Sequence, residues 1–96
     1  STPVFEKDLD SGVAGEANRD GTIYVKKGMP QDKINDVVEH ENVHLKQMGQ
    51  GRLNYTNDSV IWKRDTKSPV KVYKRETMAE GAHNLPWEEE AYKETK

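Results

Sequence analysis

Cysteine is absent from this chain of 96 residues, and aliphatic side chains are scarce. Without a thiol, the chain has no disulfide, thiolate zinc ribbon, cysteine nucleophile or redox motif, so any reactive site must use histidines, carboxylates and hydroxyls. Leucine, isoleucine, valine and phenylalanine together make up only 17 residues, which predicts a thin hydrophobic core. Since no disulfide can reinforce that core, a metal ion or a partner subunit is the expected reinforcement.

A large net charge and a long apolar run are also missing. The 15 basic and 17 acidic residues nearly balance, which favours a folded single domain over residues 1–96 rather than a disordered chain. The basic residues between positions 63 and 75 are better explained by a solvated hairpin than by a nucleic-acid surface. No segment resembles a membrane span or a secretion signal. We therefore expect a cytoplasmic protein that binds neither nucleic acid nor membranes, and the sequence gives no indication of its oligomeric state.

Turn signals and alternating apolar residues predict several short strands. Residues 13–17 and 22–26 flank the segment Asn18-Arg19-Asp20-Gly21, in which Asp-Gly supplies the backbone conformation that a hairpin turn needs. A second hairpin is expected across residues 53–62, and further strands at 3–6 and 70–73. Pro86 suits the first turn of a short final helix. Together with the helix described next, these elements predict an α+β fold with a small, mostly antiparallel sheet.

Residues 31–48 carry the periodicity of an amphipathic helix. Five apolar residues recur at helical spacing, and Gly49 then provides a stop: Ile34, Val37, Val38, Leu45 and Met48. On a helical projection Glu41 falls in the middle of this apolar stripe, with His44 at its edge. A carboxylate there is costly unless it faces a positive charge or a cavity, and a bound cation with its water would provide both.

The segment His40-Glu41-Asn42-Val43-His44 is an HExxH motif inside this helix. Residues four apart lie one turn above each other, so His40 and His44 can both present a ring nitrogen to one ion. In proteins with this motif the glutamate takes a proton from water activated by zinc and delivers it to the leaving amine. The motif predicts that His40 and His44 bind Zn²⁺ and that Glu41 is the general base. The alternative is two surface histidines that happen to share a helix face.

A catalytic zinc normally has three protein ligands, so a third must lie elsewhere in the chain. Glu88 shares the arc of Trp87, Ala91 and Tyr92 on the projected final helix and is the first choice. Glu90 is the second choice and His83 the third. The run of three glutamates is also explained by favourable electrostatics at a helix start. Gln47 and Gln50 stand where a metzincin requires glycine and histidine, which excludes that class.

These two segments resemble the gluzincin metallopeptidases, in particular their small single-domain members. In that group an HExxH helix is followed by a glutamate ligand on a second helix, often in an ExxA context, and the segment 88–91 has this form. The resemblance implies a zincin-like fold, zinc bound by His40, His44 and Glu88, catalysis by Glu41, and hydrolysis of a peptide or protein substrate. Many such families carry an acid after the alanine, where this chain has Tyr92. A tyrosine hydroxyl or another acid would then orient the ligand histidine.

Further expectations concern the substrate strand, the oxyanion donor, the tryptophans and the alternative to an enzyme. The edge strand that aligns a substrate peptide would be residues 22–26 or the N-terminal strand. The oxyanion donor is undecided among Tyr55, Tyr73, Tyr92 and His83, whereas Trp62 and Trp87 are expected in the core. The alternative to an enzyme is a non-catalytic binding or assembly module that zinc stabilises.

Overall fold

The computed structural model describes residues 2–79 and 82–95 and confirms the α+β class, with a short C-terminal helix. Six short strands divide between two three-stranded sheets instead of forming one. The first sheet contains β1 (Val4–Lys7), β2 (Gly15–Ala17) and β3 (Ile23–Lys26), and the second contains β4 (Leu53–Tyr55), β5 (Ser59–Trp62) and β6 (Lys71–Lys74). The helices are α1 (Gln31–Gly49) and α2 (Pro86–Glu94), and a single 3-10 turn covers Arg75–Thr77.

The first sheet has the order β1-β3-β2. Strands β2 and β3 form the predicted antiparallel hairpin, and Gly21 has a φ of 89°, the left-handed conformation that its turn requires. Strand β1 pairs with β3 in parallel. Of the two expected edge strands, residues 22–26 are wrong because β3 is the central strand, whereas the N-terminal strand β1 is an edge on the far side of β3 from β2. The edge strand that contacts α1 extensively is β2.

Helix α1 matches the predicted segment closely. It starts after Pro30, carries Asp32 in its first turn, and ends where the Gln50 amide donates to the Lys46 carbonyl. Its most buried residues are Val37, Val43, His44 and Gln47. A predicted ligand histidine and a glutamine are thus part of the buried face.

The hydrophobic interior consists of two small clusters. Ile23, Val25 and Val37 form the first, between the first sheet and α1. The second lies between the second sheet and α2, and contains Leu53, Val60, Trp62, Leu85 and Trp87. The two tryptophans are 3% and 1% exposed, which confirms their expected place in the core. Helix α1 contacts both clusters, because Val37 belongs to the first and Met48 packs against the second.

Helix α2 starts at the predicted proline, with Leu85 preceding it. It packs against α1 through a face that includes the fully buried Ala91. This packing sets Glu88, in the first turn of α2, against the middle of α1. In the described part of the chain, no helix combines the length and the apolar character needed to cross a membrane.

Candidate metal centre

Three predicted ligands meet where α1 and α2 pack together. Oε1 of Glu88 lies 2.8 Å from Nε2 of His40 and 3.0 Å from Nε2 of His44. The donor atoms of these residues all lie within 4.8 Å of one another. His44 and Glu88 are buried, at 4% and 8% exposure, and His40 is half-buried. The three residues meet because the histidines are four residues apart on α1 and because Glu88 lies on the buried face of α2.

The chemistry of this trio suits a zinc ion. Two imidazoles and one carboxylate are a ligand set of catalytic zinc sites, which leave a fourth position for water. Ligand atoms of a tetrahedral zinc stand about 3.4 Å apart, since each lies about 2.1 Å from the metal. The observed nitrogen–oxygen separations of 2.8 and 3.0 Å are hydrogen-bond distances. Each of these two contacts would have to lengthen by about half an ångström for an ion to replace the hydrogen bonds.

The charges in the site are coupled through Glu88. Burial acts to raise the pKa of Glu88, but hydrogen bonds from His40 and His44 outweigh it and hold that pKa at about 2. Burial likewise acts to lower the pKa of His44, yet the hydrogen bond and negative charge of Glu88 raise it above the ordinary value. The carboxylate is thus ionised and attracts positive charge to the two ring nitrogens. A proton or a metal cation can supply that charge.

Glu41 lies on the same face of α1 as the histidines, beneath strand β2. Burial raises the pKa of its carboxyl group, and the nearby imidazoles only partly oppose that rise. A carboxylate with a raised pKa beside a metal site is a better proton acceptor than an ordinary glutamate. This environment is what a general base for water activation needs.

Gly15 in β2 makes room for this carboxylate. A Cβ atom at Gly15 would overlap Val37 Cγ1 and would lie 3.2 Å from Glu41 Cγ. The backbone of the edge strand therefore rests directly on α1 beside the proposed base. A cleft of about 880 Å³ opens here, and its walls include residues 12–19 of the strand segment together with His40, His44 and Glu88.

One buried residue of the site was not predicted. Gln47 is fully buried, and its Oε1 lies 2.8 Å from Nδ1 of His44. The resemblance to gluzincins implies a tyrosine hydroxyl or another acid beside the predicted ligand histidine, whereas in the structure an amide of the same helix lies there. The spacing of His40, His44 and Gln47 at i, i+4 and i+7 is the signal that could have identified it.

The second- and third-choice ligands lie outside the cluster. Glu90 accepts hydrogen bonds from Arg52 and from Gln47. His83 is exposed and stacks on the ring of Tyr92 at 3.8 Å. The geometry therefore favours Glu88 over both alternatives. Metal binding itself stays a prediction.

The surroundings of the candidate oxyanion donors also distinguish among them. Tyr73 packs edge-on against Trp87, as expected of a core residue. Tyr55 and Tyr92 both line the cleft. The ring of Tyr92 lies 4.5 Å from that of His40, and burial together with the charges of Glu88 and Glu41 raises the pKa of its hydroxyl. Tyr92 therefore keeps its proton at neutral pH, next to a predicted ligand.

Comparison of the chain with protein-family models, with curated proteins and with solved structures gave no match. The gluzincin resemblance thus remains an interpretation of two short segments, 40–44 and 88–91, and of the way in which they meet. Their meeting is a feature of the fold, since the segments are more than forty residues apart and lie on different helices.

Proposed function

We propose that this chain is a zinc-dependent metallopeptidase that hydrolyses a bond in a peptide or protein substrate. The observation that carries the proposal is the convergence of His40, His44 and Glu88 beside Glu41, on the floor of an open cleft. An isolated pair of surface histidines would require neither a buried carboxylate between them nor a second carboxylate with a raised pKa nearby. The proposal includes the zincin-like character of the fold.

Each residue has a distinct task in this proposal. His40, His44 and Glu88 would hold the ion, which when bound supplies positive charge and lowers the pKa of water. Glu41 accepts the proton of the attacking water and donates it to the leaving amine. The raised pKa of Glu41 suits both steps, because a group that takes and returns a proton works best with a pKa near the working pH.

Strand β2 is suited to hold the substrate in an extended conformation. The Ala14 carbonyl and the Asn18 amide pair with the neighbouring strand β3. Because backbone direction alternates along a strand, the N–H and C=O groups of Gly15 and Ala17 point the other way, towards the open edge. A peptide could add there as a further strand, directly beside Glu41.

Tyr92 is our choice for the donor that stabilises the oxyanion of the tetrahedral intermediate. Its ring lies against His40 at the wall of the cleft, and its raised pKa keeps the hydroxyl protonated. A protonated hydroxyl can donate to a developing negative charge.

Glu41→Gln tests the catalytic part of the proposal. The zinc-loaded wild-type protein and the variant are compared on a mixture of unfolded proteins as substrates. We expect the variant to bind zinc with unchanged stoichiometry and to lose activity by about 100-fold or more, because general acid–base catalysis contributes on this scale. Glu89→Gln, an exposed glutamate of α2, is the matched control and should retain activity.

The second candidate function is a non-catalytic module that zinc stabilises for binding or assembly. In favour of this module, the site joins α1, which contacts both hydrophobic clusters, to α2, which contributes Trp87 to the second cluster. Zinc binding with no hydrolysis by wild type or Glu41→Gln would favour this module over the enzyme. Equal hydrolysis by both proteins would rule out Glu41 as the base.

A further inference from the structure

The amide of Gln47 has an orientation that its surroundings determine. Its Nε2 lies 3.1 Å from the carbonyl oxygen of Trp87 and 3.0 Å from Oε1 of Glu90. A carbonyl and an ionised carboxylate can only accept hydrogen bonds, so the NH₂ group must occupy this end of the amide. The oxygen of Gln47 then faces His44. A flipped amide would set its oxygen against both of these acceptors.

This orientation determines which nitrogen of His44 carries a hydrogen. Oε1 of Gln47 lies 2.8 Å from Nδ1 of His44, and because an amide oxygen only accepts, Nδ1 must be the donor. With the hydrogen on Nδ1 fixed, Nε2 is the nitrogen that faces Glu88 and the site: it donates to Glu88 when it carries a proton, and it presents a lone pair when an ion takes the place of that proton. A ligand histidine has to present such a lone pair to a metal ion.

We infer that Gln47 is a positioning residue of the metal centre: it holds His44 in the Nδ1–H tautomer and directs Nε2 at the ion. This inference rests on the proposed metal site and adds to it the group that prepares one ligand. Ligand histidines usually donate their second ring N–H to a carboxylate, a backbone carbonyl or water. A neutral side-chain amide from the same helix has that task here.

Glu90 and Arg52 hold the amide group of Gln47 on the side away from His44. The guanidinium of Arg52 donates to both carboxylate oxygens of Glu90, and it also donates to the backbone carbonyls of Lys63 and Arg64. The carboxylate is therefore held by a two-point contact from a side chain that is tied to the segment after β5. Gln47 thus links His44 to the second sheet.

Two substitutions separate positioning from simple packing. Gln47→Met keeps the length and loses every hydrogen bond. Gln47→Glu, kept neutral by burial beside the Glu90 carboxylate, retains an oxygen that accepts from Nδ1 and gains an O–H that donates to Glu90. Zinc affinity is measured by competition with a chromophoric chelator, and the free energy of unfolding of the chelator-treated protein is measured in urea. We expect Gln47→Met to weaken zinc binding by about 10- to 100-fold, the usual effect of removing such a partner, and Gln47→Glu to restore most of the loss. Gln31→Met, an exposed glutamine at the start of α1, should bind zinc like wild type.

The tautomer can also be observed without any substitution. In the ¹⁵N spectrum of the zinc-loaded wild-type protein, His44 should show a metal-bound Nε2 and a protonated Nδ1, whether or not the variants fold. Zinc on Nδ1 would overturn the inference. So would wild-type affinity in folded Gln47→Met, or equal weakening in both variants, which would indicate packing alone. These results leave the proposed function intact, whereas a wild-type protein that binds no zinc overturns both.

Discussion

At the scale of single residues, the hydrogen bonds between Glu88 and the two histidines make the stability of the chelator-treated protein depend on pH. The pKa of Glu88 falls from 4.5 to about 2, so its contribution is present above pH 4.5 and is lost as the pH falls towards 2. The pKa of His44 lies above 6.5, so its contribution is present below pH 6.5 and is lost as the pH rises through the raised value. The free energy of unfolding, measured in urea at a series of pH values, should therefore decline towards acidic pH and also towards alkaline pH.

The control for this prediction is His44→Ala, which should lack most of the decline above pH 6.5. Burial also raises the pKa of Glu41, so its contribution to stability falls with rising pH as that of His44 does, but the fall begins above pH 4.5. A wild-type protein whose stability is flat from pH 6.5 to 9 would contradict the proposed hydrogen bond between Glu88 and His44.

Near neutral pH, zinc affinity should rise with pH, whereas the stability of the chelator-treated protein should fall. A metal ion competes with the proton of His44, so binding strengthens as the pH rises until that histidine is neutral. Chelator competition between pH 6 and 8 measures this trend. A pH-independent affinity would mean that zinc displaces no proton and binds elsewhere.

Most of the proposed site follows from the spacing of residues along two helices. A spacing of four residues places His40 and His44 on one helix face, and the projection of the final helix selects Glu88 over Glu90. The amide of Gln47 could not be assigned in the same way, because glutamine is common on helix surfaces and its partners come from α2. Spacing predicts which residues share a face, and only packing shows what lies opposite.

At the scale of elements, strand β2 depends on the absence of a side chain at Gly15. We predict that Gly15→Ala destabilises the protein by about 1–3 kcal/mol, because the added methyl overlaps the stiff side chain of Val37 and presses on Glu41. Hydrolysis should fall as well, since the edge strand would be displaced from the base. Urea unfolding and the activity assay measure the two effects.

Gly49→Ala is the matched control for this substitution. A methyl at Gly49, the last residue of α1, would have no atom within 4 Å outside its own helix and chain neighbours. Alanine favours helix by about 1 kcal/mol over glycine, so this variant should be at least as stable as wild type. If Gly15→Ala behaved in the same way, β2 would not rest on α1 as described.

The elements themselves could be predicted where the pattern is local. Helix α1 and the two hairpins follow from periodicity and turn residues that are close together in the sequence. The parallel pairing of β1 with β3, and the division of the strands into two sheets, depend on contacts between distant segments. Short strands with alternating residues do not specify their neighbours. For that reason the sequence does not show that residues 22–26 form the central strand, or that β2 is an edge strand.

At the scale of the whole molecule, the proposed metal centre lies between two hydrophobic clusters that are each small. An ion held by α1 and α2 would fasten the helix that contacts both clusters to the helix that completes the second. Because the ion binds only the folded chain, its binding energy adds to the free energy of unfolding.

We therefore predict a large thermal shift on zinc addition to the chelator-treated protein. Free zinc at 100 times the dissociation constant contributes about 2.7 kcal/mol, which for a domain of this size raises Tm by about 10 to 20 °C. Calorimetry with and without zinc measures the shift, and His44→Ala should show little of it. Equal melting of the wild-type protein under both conditions would contradict the stabilising role.

The central claim is that the side chains of His40, His44 and Glu88 form one binding site for a divalent ion. An equilibrium zinc titration of the chelator-treated protein tests it most directly, with Glu88→Gln and His44→Ala beside wild type and Glu89→Gln as the control. The account predicts one saturable zinc per chain in wild type and the control, and strong weakening in the other two variants. Absence of zinc binding, or equal affinity in all four proteins, would contradict it.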